Sequence, residues 1–273
     1  MASGSSVTRD VADIVLVDDS FAALGAAQQH GRRIIGGIGV SLCLFLPRVL
    51  TAMLAIVAVS MLGLGFPYEP AQVGLTLFTV GVPSLLMTAW ARPAPPDRRM
   101  LGRIARFVLP AGVVTAVFAV ALYTVAYTLV RSGLREGLVP LDAVQRFEAY
   151  TGVAGGDDSF VALASVGVAQ TALSSFTSVT AFALLLFLEP PSRLFTGWAS
   201  VSSDKRPALL ALGLLTTLFA VLLTPPLADY FQLLRPGGFM LPMVALTTVL
   251  WFFTLRACWR HRLLDRLLGP PRP

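Results

Sequence analysis

The sequence predicts an all-α membrane protein with six transmembrane helices, and three observations support this prediction. The chain has 273 residues, 55% of them hydrophobic and only 13% charged, whereas soluble domains carry about 25% charged residues. Six uncharged runs reach the length of about 20 residues that a helix needs to cross a bilayer. The arginines cluster at the ends of these runs, as the topology of a membrane protein requires. The formal net charge of +6 therefore predicts contact with the lipid bilayer and no nucleic-acid partner.

Each predicted span is an uncharged run between charged residues. The six runs cover residues 49–68, 70–91, 107–130, 159–188, 207–228 and 236–255. Their glycines and prolines do not argue against helices, because membrane helices tolerate both. The loop over residues 131–158 is long, and we predict a short amphipathic helix around Leu141–Tyr150 that caps the surface.

The basic residues are distributed unequally between the two sides of the membrane. Sixteen lie in the segments that share a side with the chain termini, four lie in the opposite loops, and Arg48 stands at a boundary. The positive-inside rule then predicts a multi-pass protein of the plasma membrane with both termini in the cytoplasm. Cys43 and Cys258 fall near cytoplasmic helix ends, so we expect no disulfide in that reducing compartment.

The residues ahead of the first span have an organisation of their own. Residues 13–17 (DIVLV) are a short apolar, β-branched run of the kind that forms a buried parallel strand. Ser20 is a favourable N-cap for the helix that follows. The apolar stretch 34–66 would be roughly 50 Å long as a helix, so part of it must protrude as a cytoplasmic stalk. Arg48 is interpreted as an interface anchor, with the gating of an ion site as the alternative.

This order of elements resembles the C-terminal third of P-type cation-transporting ATPases. Four segments carry the resemblance: residues 1–6 (MASGSS), 12–21 (ADIVLVDDSF), 31–35 (GRRII) and 78–84 (FTVGVPS). The resemblance implies that residues 1–20 are a remnant of the α/β, HAD-like phosphorylation domain, including its closing strand. It implies further a stalk helix at 21–48, a six-helix transmembrane domain at 49–258 and a cytoplasmic tail at 259–273. Six spans point to the calcium, magnesium or manganese type of pump, because the heavy-metal pumps of this family have two membrane helices after the phosphorylation domain.

The resemblance also implies a function and marks what this sequence lacks. The phosphorylation motif DKTG, the TGE loop and the magnesium motif GDGxND do not occur in it. We therefore expect a membrane-domain fragment that supplies the ion-translocation helices of an ATP-driven cation pump but does not hydrolyse ATP alone. Its expected partners are an inorganic cation and the missing ATPase head. Mg and ATP belong to the complete pump, and we expect no cofactor in this chain. The alternatives are a non-enzymatic six-span protein, as a headless relic or partner subunit, and an unrelated permease.

The second span holds the first part of the candidate cation path. Pro83 has no N–H and leaves the carbonyl of Thr79 without a helical donor, and Gly81 adds backbone freedom. Broken helices at membrane depth commonly line ion paths. Thr79, Ser84 and the freed carbonyls would offer hard oxygen ligands. The alternative is a proline kink closed by a back-bonded hydroxyl.

The fourth span holds the second part of the candidate path. Gln170 and Ser174, with Thr177, share one helical face by the 3.6-residue period, although such small polar residues also serve as packing surfaces. No Asp, Glu or Lys lies inside any of the six runs. This is a departure from calcium-type pumps, which usually carry carboxylates among their membrane helices.

Overall fold

The computed structural model describes residues 5–15, 20–93, 99–234 and 238–261. Within these ranges, six helical segments are long and apolar enough to cross a membrane, which agrees with the predicted number. They are Leu24–Met61, Pro70–Ala89, Met100–Arg135, Phe160–Leu188, Arg206–Leu223 and Met240–Arg260. The helices in chain order are α1 (Ser6–Asp10), α2 (Ala22–Met61), α3 (Pro70–Val73), α4 (Val82–Ala89), α5 (Met100–Arg135), α6 (Leu141–Thr151), α7 (Phe160–Leu188), α8 (Arg206–Leu223), α9 (Pro225–Tyr230) and α10 (Met240–Arg260).

The predicted stalk and the first span form one continuous helix. α2 is 40 residues long and passes through Pro47 without a break. The hydroxyl of Ser20 accepts a hydrogen bond from the N–H of Ala22, the first helical residue, over 3.3 Å. Further along, the guanidinium of Arg33 donates to the carbonyl of Ala89 at the end of α4. The N-terminal part of α2 is therefore held against the end of the second span.

The predicted strand at 13–17 is not confirmed. Residues 13–15 have no regular structure, and the side chain of Ile14 is exposed. Residues 16 and 17 lie outside the described ranges. Within those ranges the chain forms no strand, and a strand needs a partner to satisfy its backbone. The short helix α1 lies in the same N-terminal segment.

α7 is the central helix of the bundle. Of the residues in its most apolar window, 72% are buried, against 17% in α10. The fully buried Trp251 of α10 packs its ring edge-on against Phe176 and Phe187 of α7. The indole N–H of Trp251 donates to the hydroxyl of Thr115 in α5 over 2.9 Å. This contact joins three spans in one core.

Substituting Thr115 by valine should destabilise the fold by about 1 kcal/mol, because the buried indole N–H of Trp251 loses its acceptor. The measurement is the free energy of unfolding in mixed detergent. The matched control is Thr128→Val in the same helix, where the exposed hydroxyl bonds only to carbonyls of its own helix. Equal losses in the two variants would contradict the role given to Thr115.

The predicted cap helix is confirmed as α6. It ends at Gly152, which adopts a left-handed conformation (φ 69°) that suits glycine. Its buried residue Phe147 packs with Phe160 and Val168 of α7 and Val130 of α5. α6 therefore closes one end of the bundle over α5 and α7.

Candidate cation path

The second span, Pro70–Ala89, is a broken helix. It consists of α3, a turn, a π-helical segment over Leu77–Gly81, and α4. The N–H of Val82 bonds to the carbonyl of Leu77, five residues earlier. This wider register places Pro83, which has no N–H to donate, directly after the π-helical segment. The prediction of a break around Thr79 and Pro83 is confirmed, and the irregular region extends well ahead of it.

The segment between α2 and α3 is irregular and is hydrogen-bonded by side chains of the bundle. Gly63 and Gly65 have positive φ angles of 66° and 89°. The phenol of Tyr123 donates to the carbonyl of Leu64 over 3.0 Å, and the amide of Gln170 donates to the carbonyl of Phe66 over 2.9 Å. Irregular backbone is tolerated at membrane depth only where protein or a water-filled cavity surrounds it. Gln170 therefore supports the entry of the broken span.

Gln72 in α3 links three parts of the bundle and was missed by the sequence analysis. Its amide oxygen accepts a 2.5 Å hydrogen bond from the hydroxyl of Ser174, in the middle of α7. Its amide nitrogen donates over 2.9 Å to the carbonyl of Gln232, after α9. Gln72 is only 2% exposed. The sequence signal that could have identified Gln72 is a polar glutamine inside the uncharged run 70–91.

Gln232 supplies its carbonyl from a strained backbone. It is a non-glycine residue with positive φ, at 49°, a conformation that costs of the order of 1 kcal/mol or more. Its carbonyl accepts from Gln72 and also from the phenol of Tyr150 in α6, over 3.2 Å. The cap helix is thereby connected to the broken span.

Three enclosed hydroxyls in this region have no hydrogen-bond partner among the residues described. They belong to Thr79, Ser84 and Ser175. A buried polar group left unpaired costs about 1–3 kcal/mol, so such groups call for an explanation. Thr79 lies in the π-helical segment, Ser84 in the first turn of α4, and Ser175 beside Ser174 in α7. Their oxygens are free to bind a ligand.

The predicted site residues do not form one pocket. Gly81 and Ser84 line a groove of about 400 Å³ between α2 and the broken span. Pro83 is buried behind them. Gln170 and Ser174 instead bond to the chain at Phe66 and Gln72, as described above. No cluster of three or more His, Cys, Asp or Glu side chains is found in the described part of the chain. The unpaired oxygens of Thr79, Ser84 and Ser175 are hydroxyl oxygens and carry no charge.

Arg48 is half-buried, and its interpretation as an interface anchor stays a prediction. An anchor of that kind keeps its charged head in water, whereas the Nη1 atom of Arg48 is enclosed. The hydroxyl of Tyr68 is enclosed as well, and the two groups are close enough to interact electrostatically. Neither atom has a hydrogen-bond partner within the ranges described. One nitrogen of the Arg48 guanidinium is therefore shielded from solvent, while the residue as a whole is half-buried.

Tyr150 should make the attachment of the cap helix sensitive to high pH. Burial raises the pKa of its phenol to about 12, and the negative charge of Glu69 adds to the rise. The folded state thus holds this proton more tightly than the unfolded chain, where the pKa is about 10. The stabilisation is complete below pH ~10 and is lost as the pH rises to ~12, because an ionised phenol cannot donate to Gln232.

This loss is measured as a fall between pH ~10 and ~12 in the protection factors of the α6 amides, which compare the observed exchange rate with the intrinsic rate at each pH. Tyr150→Phe should remove that pH dependence, and Tyr230→Phe, at an exposed tyrosine, should retain it. A pH dependence that survives in Tyr150→Phe would contradict the assignment.

Comparison with known proteins adds to this geometry. The chain is 33% identical over 138 residues to the calcium-transporting ATPase CtpE of Mycolicibacterium smegmatis, covering 46% of this chain and 17% of that protein. The CtpE protein of Mycobacterium tuberculosis is 33% identical over 142 residues, with the same coverage. A further relative is the protein of Mycobacterium tuberculosis named Probable cation-transporting ATPase F, which is 33% identical over 87 residues. That match covers 32% of this chain and 10% of the relative.

These relatives are P-type cation-transporting ATPases. The predicted resemblance to P-type ATPases is therefore confirmed, together with the multi-pass membrane character of the chain. No protein-family model matches the sequence. The chain spans about 17% of the length of the two CtpE relatives.

Proposed function

We propose that this chain supplies the ion-translocation helices of a P-type cation pump, with the path running along the broken span. The observation that carries the proposal is the enclosed, unpaired hydroxyl of Thr79 within the π-helical segment. Ser84 offers a second unpaired hydroxyl in the next turn. An unwound membrane helix with unpaired oxygens is the arrangement that transporters use to bind cations.

The chemistry of the path is that of neutral oxygen ligands. Serine and threonine hydroxyls are hard donors, which suit Ca²⁺ and other hard cations. Gln72 and Ser174 bind each other, so their part is to hold the broken span against α7. Gln170 holds the preceding segment in the same way. The names of the relatives favour calcium among the hard cations.

The energy for transport would come from an ATPase head that carries the phosphorylation domain. ATP and Mg would bind there, since the motifs that use them do not occur in this sequence. The excess of arginine on one side supports a plasma-membrane protein with cytoplasmic termini. The N-terminal segment 1–20 would then adjoin the head, and α2 would carry its movement to the broken span. The boundaries of these domains remain predictions.

Cation binding by the purified chain in detergent tests this proposal. Radioactive Ca²⁺ should bind saturably, and the double variant Thr79→Val, Ser84→Ala should bind about tenfold or more weakly, a loss of roughly 1.4 kcal/mol. Because both hydroxyls are unpaired, their removal should leave the unfolding free energy unchanged or slightly higher. The control is Thr216→Val, an exposed threonine of α8.

Two outcomes would overturn the proposal. One is the absence of saturable binding of Ca²⁺, Mg²⁺, Mn²⁺ or Rb⁺. The other is binding that the double variant leaves intact. Rapid cation flux through vesicles that contain the chain alone, without ATP, would identify a permease in place of a pump domain.

A further inference from the structure

An apolar cavity of about 480 Å³ lies under the cap helix α6. Its walls come from the last two turns of α5, from α6, from α7 and from the chain that leads into α10. The inner wall consists of side chains that are at most 7% exposed, namely Val130, Phe147, Val168, Leu234 and Met240. We call this space the cap cavity. Native protein interiors contain few voids larger than a water molecule, so a cavity of this size calls for an occupant.

Hydrogen bonds hold two walls of the cap cavity in place. The N–H of Leu234 donates to the hydroxyl of Thr171 in α7 over 3.0 Å. α6 is attached to the same connection through Tyr150, whose phenol donates to the carbonyl of Gln232. The cavity is thus preformed, as ligand pockets usually are, and its volume lies in the range of about 300–1,000 Å³ that is typical of them.

The cap cavity opens between apolar side chains. Leu129, Leu138 and Phe239 line it and are 53%, 72% and 45% exposed. Leu129 belongs to the membrane span Met100–Arg135. The exposed Val125 lies one turn earlier on the same face of that helix. The mouth of the cavity is therefore continuous with the apolar surface that α5 presents to lipid.

The sequence places this mouth at the boundary between the hydrocarbon layer and the headgroups. The uncharged run 107–130 ends at the cavity, and Arg131 follows it directly. Across the cavity, Met240 begins the last membrane span. Val168 lies deeper, about 14 Å into the uncharged run 159–188 at 1.5 Å per residue. The cavity therefore extends from the headgroup boundary into the depth of the hydrocarbon layer.

A single charged side chain, Arg146 of α6, is found among the described residues that line the cavity. Its Nε and Nη2 atoms donate to the carbonyl and the carboxylate of Asp142, one turn earlier. These bonds orient the guanidinium at the rim, and within the described ranges no hydrogen bond engages its Nη1 atom. Guanidinium N–H groups bind phosphate oxygens well, so the rim can accept a phosphate group.

We propose that the cap cavity binds a membrane phospholipid, with one acyl chain inside the cavity and the phosphate at Arg146. The apolar walls match the acyl chain, and the mouth opens to the layer in which lipids lie. The positive charge stands at the depth of the phosphate groups. The bound lipid contacts α5, α6 and α10 together and so stabilises the attachment of the cap helix. The site is separate from the proposed cation path, because Thr79 and Ser84 do not line it.

Photolabelling of the purified full chain in detergent tests the inference. A phosphatidylglycerol that carries a diazirine in one acyl chain should label the chain saturably. Peptide mapping should place the label around Val168 and Met240. Unlabelled phosphatidylglycerol should compete for the site, whereas inorganic phosphate at the same concentration should not, because it has no acyl chain to bury.

Two pairs of matched variants identify the cavity. Ala143→Phe places a ring in the cavity and should weaken labelling by about tenfold or more. Ala149→Phe, at an exposed alanine of the same helix that does not line the cavity, should leave labelling unchanged. Arg146→Gln should weaken it by about tenfold, because a hydrogen bond to a charged group is lost. Arg135→Gln, at an exposed arginine outside the cavity, is its control.

Three results would overturn the inference. They are label spread evenly over the lipid-facing sides of the six spans, competition by inorganic phosphate as strong as that by phospholipid, and equal labelling of Arg146→Gln and Arg135→Gln. The arginine pair decides the matter even where circular dichroism shows that Ala143→Phe does not fold. The double variant Thr79→Val, Ser84→Ala should bind phospholipid normally, so a failure of the cation-path proposal is recognised separately.

Discussion

Gly112→Val is expected to destabilise the bundle by about 3 kcal/mol, at the upper end of the cost of overpacking a core. A Cβ atom at this position of α5 would lie 2.6 Å from Cδ2, 2.9 Å from Cγ and 3.0 Å from Cβ of Leu50 in α2. Since the conflict reaches the Cβ atom of Leu50, rotation of that side chain cannot relieve it. The carbonyl of Gly112 also accepts a 3.2 Å hydrogen bond from Thr51, so the two helices must separate and lose it.

The measurement is the unfolding free energy in mixed detergent, with Gly102→Val as the matched control. Gly102 lies in the same helix, and a Cβ there meets no heavy atom within 4 Å. Both variants replace glycine by valine, a better helix former, so the difference between them reports mainly on the contact with Leu50. Adding Leu50→Ala should restore part of the loss in Gly112→Val. Equal destabilisation of the two glycine variants would show that this close approach does not stabilise the bundle.

Gln72→Leu should cost about 2 kcal/mol and also weaken cation binding. Leucine is apolar and of similar size, so the packing of α3 is largely retained while both hydrogen bonds of the amide are lost. The hydroxyl of Ser174 is left without its acceptor, and the carbonyl of Gln232 loses one of two donors. Buried groups deprived of a partner cost about 1–3 kcal/mol each, and single interhelical bonds in membranes contribute about 0.6–1.7 kcal/mol.

A double-mutant cycle with Ser174→Ala checks this expectation. The coupling free energy between the two substitutions should be about 1 kcal/mol, because each removes the same bond. Gln29→Leu, at an exposed residue of α2, provides the control for a change in polarity. Strictly additive effects of Gln72→Leu and Ser174→Ala would mean that their 2.5 Å contact does not hold the broken span to α7.

The number of spans could be predicted because hydropathy depends only on composition over about 20 residues. The break around Thr79 was also predictable, since the missing N–H of Pro83 is a local property. The extent of the break was not, because the irregular segment before α3 is hydrogen-bonded by donors that are distant in sequence. Tyr123 and Gln170 are examples, at sequence separations of 59 and 104 residues from their acceptors.

The site residues show the same division between local and long-range information. The shared face of Gln170 and Ser174 followed from helical periodicity, whereas their partners at Phe66 and Gln72 did not. Gln72 was missed because a single glutamine in an apolar run carries no periodic signal. Arg48 was interpreted as an interface anchor because sequence places it at the edge of a span, and only the fold shows that its Nη1 atom is enclosed.

The irregular segment between α2 and α3 has a consequence for biosynthesis. The second span has the lowest mean hydropathy of the six, 1.4 against 2.3 for the first. The backbone just before this span is hydrogen-bonded by the side chains of Tyr123 and Gln170, which are synthesised later. Unpaired carbonyls are costly in lipid, so this stretch should wait at the translocon or the headgroup layer until the third and fourth spans have emerged. The membrane integration of this protein would then follow an order different from that of its sequence.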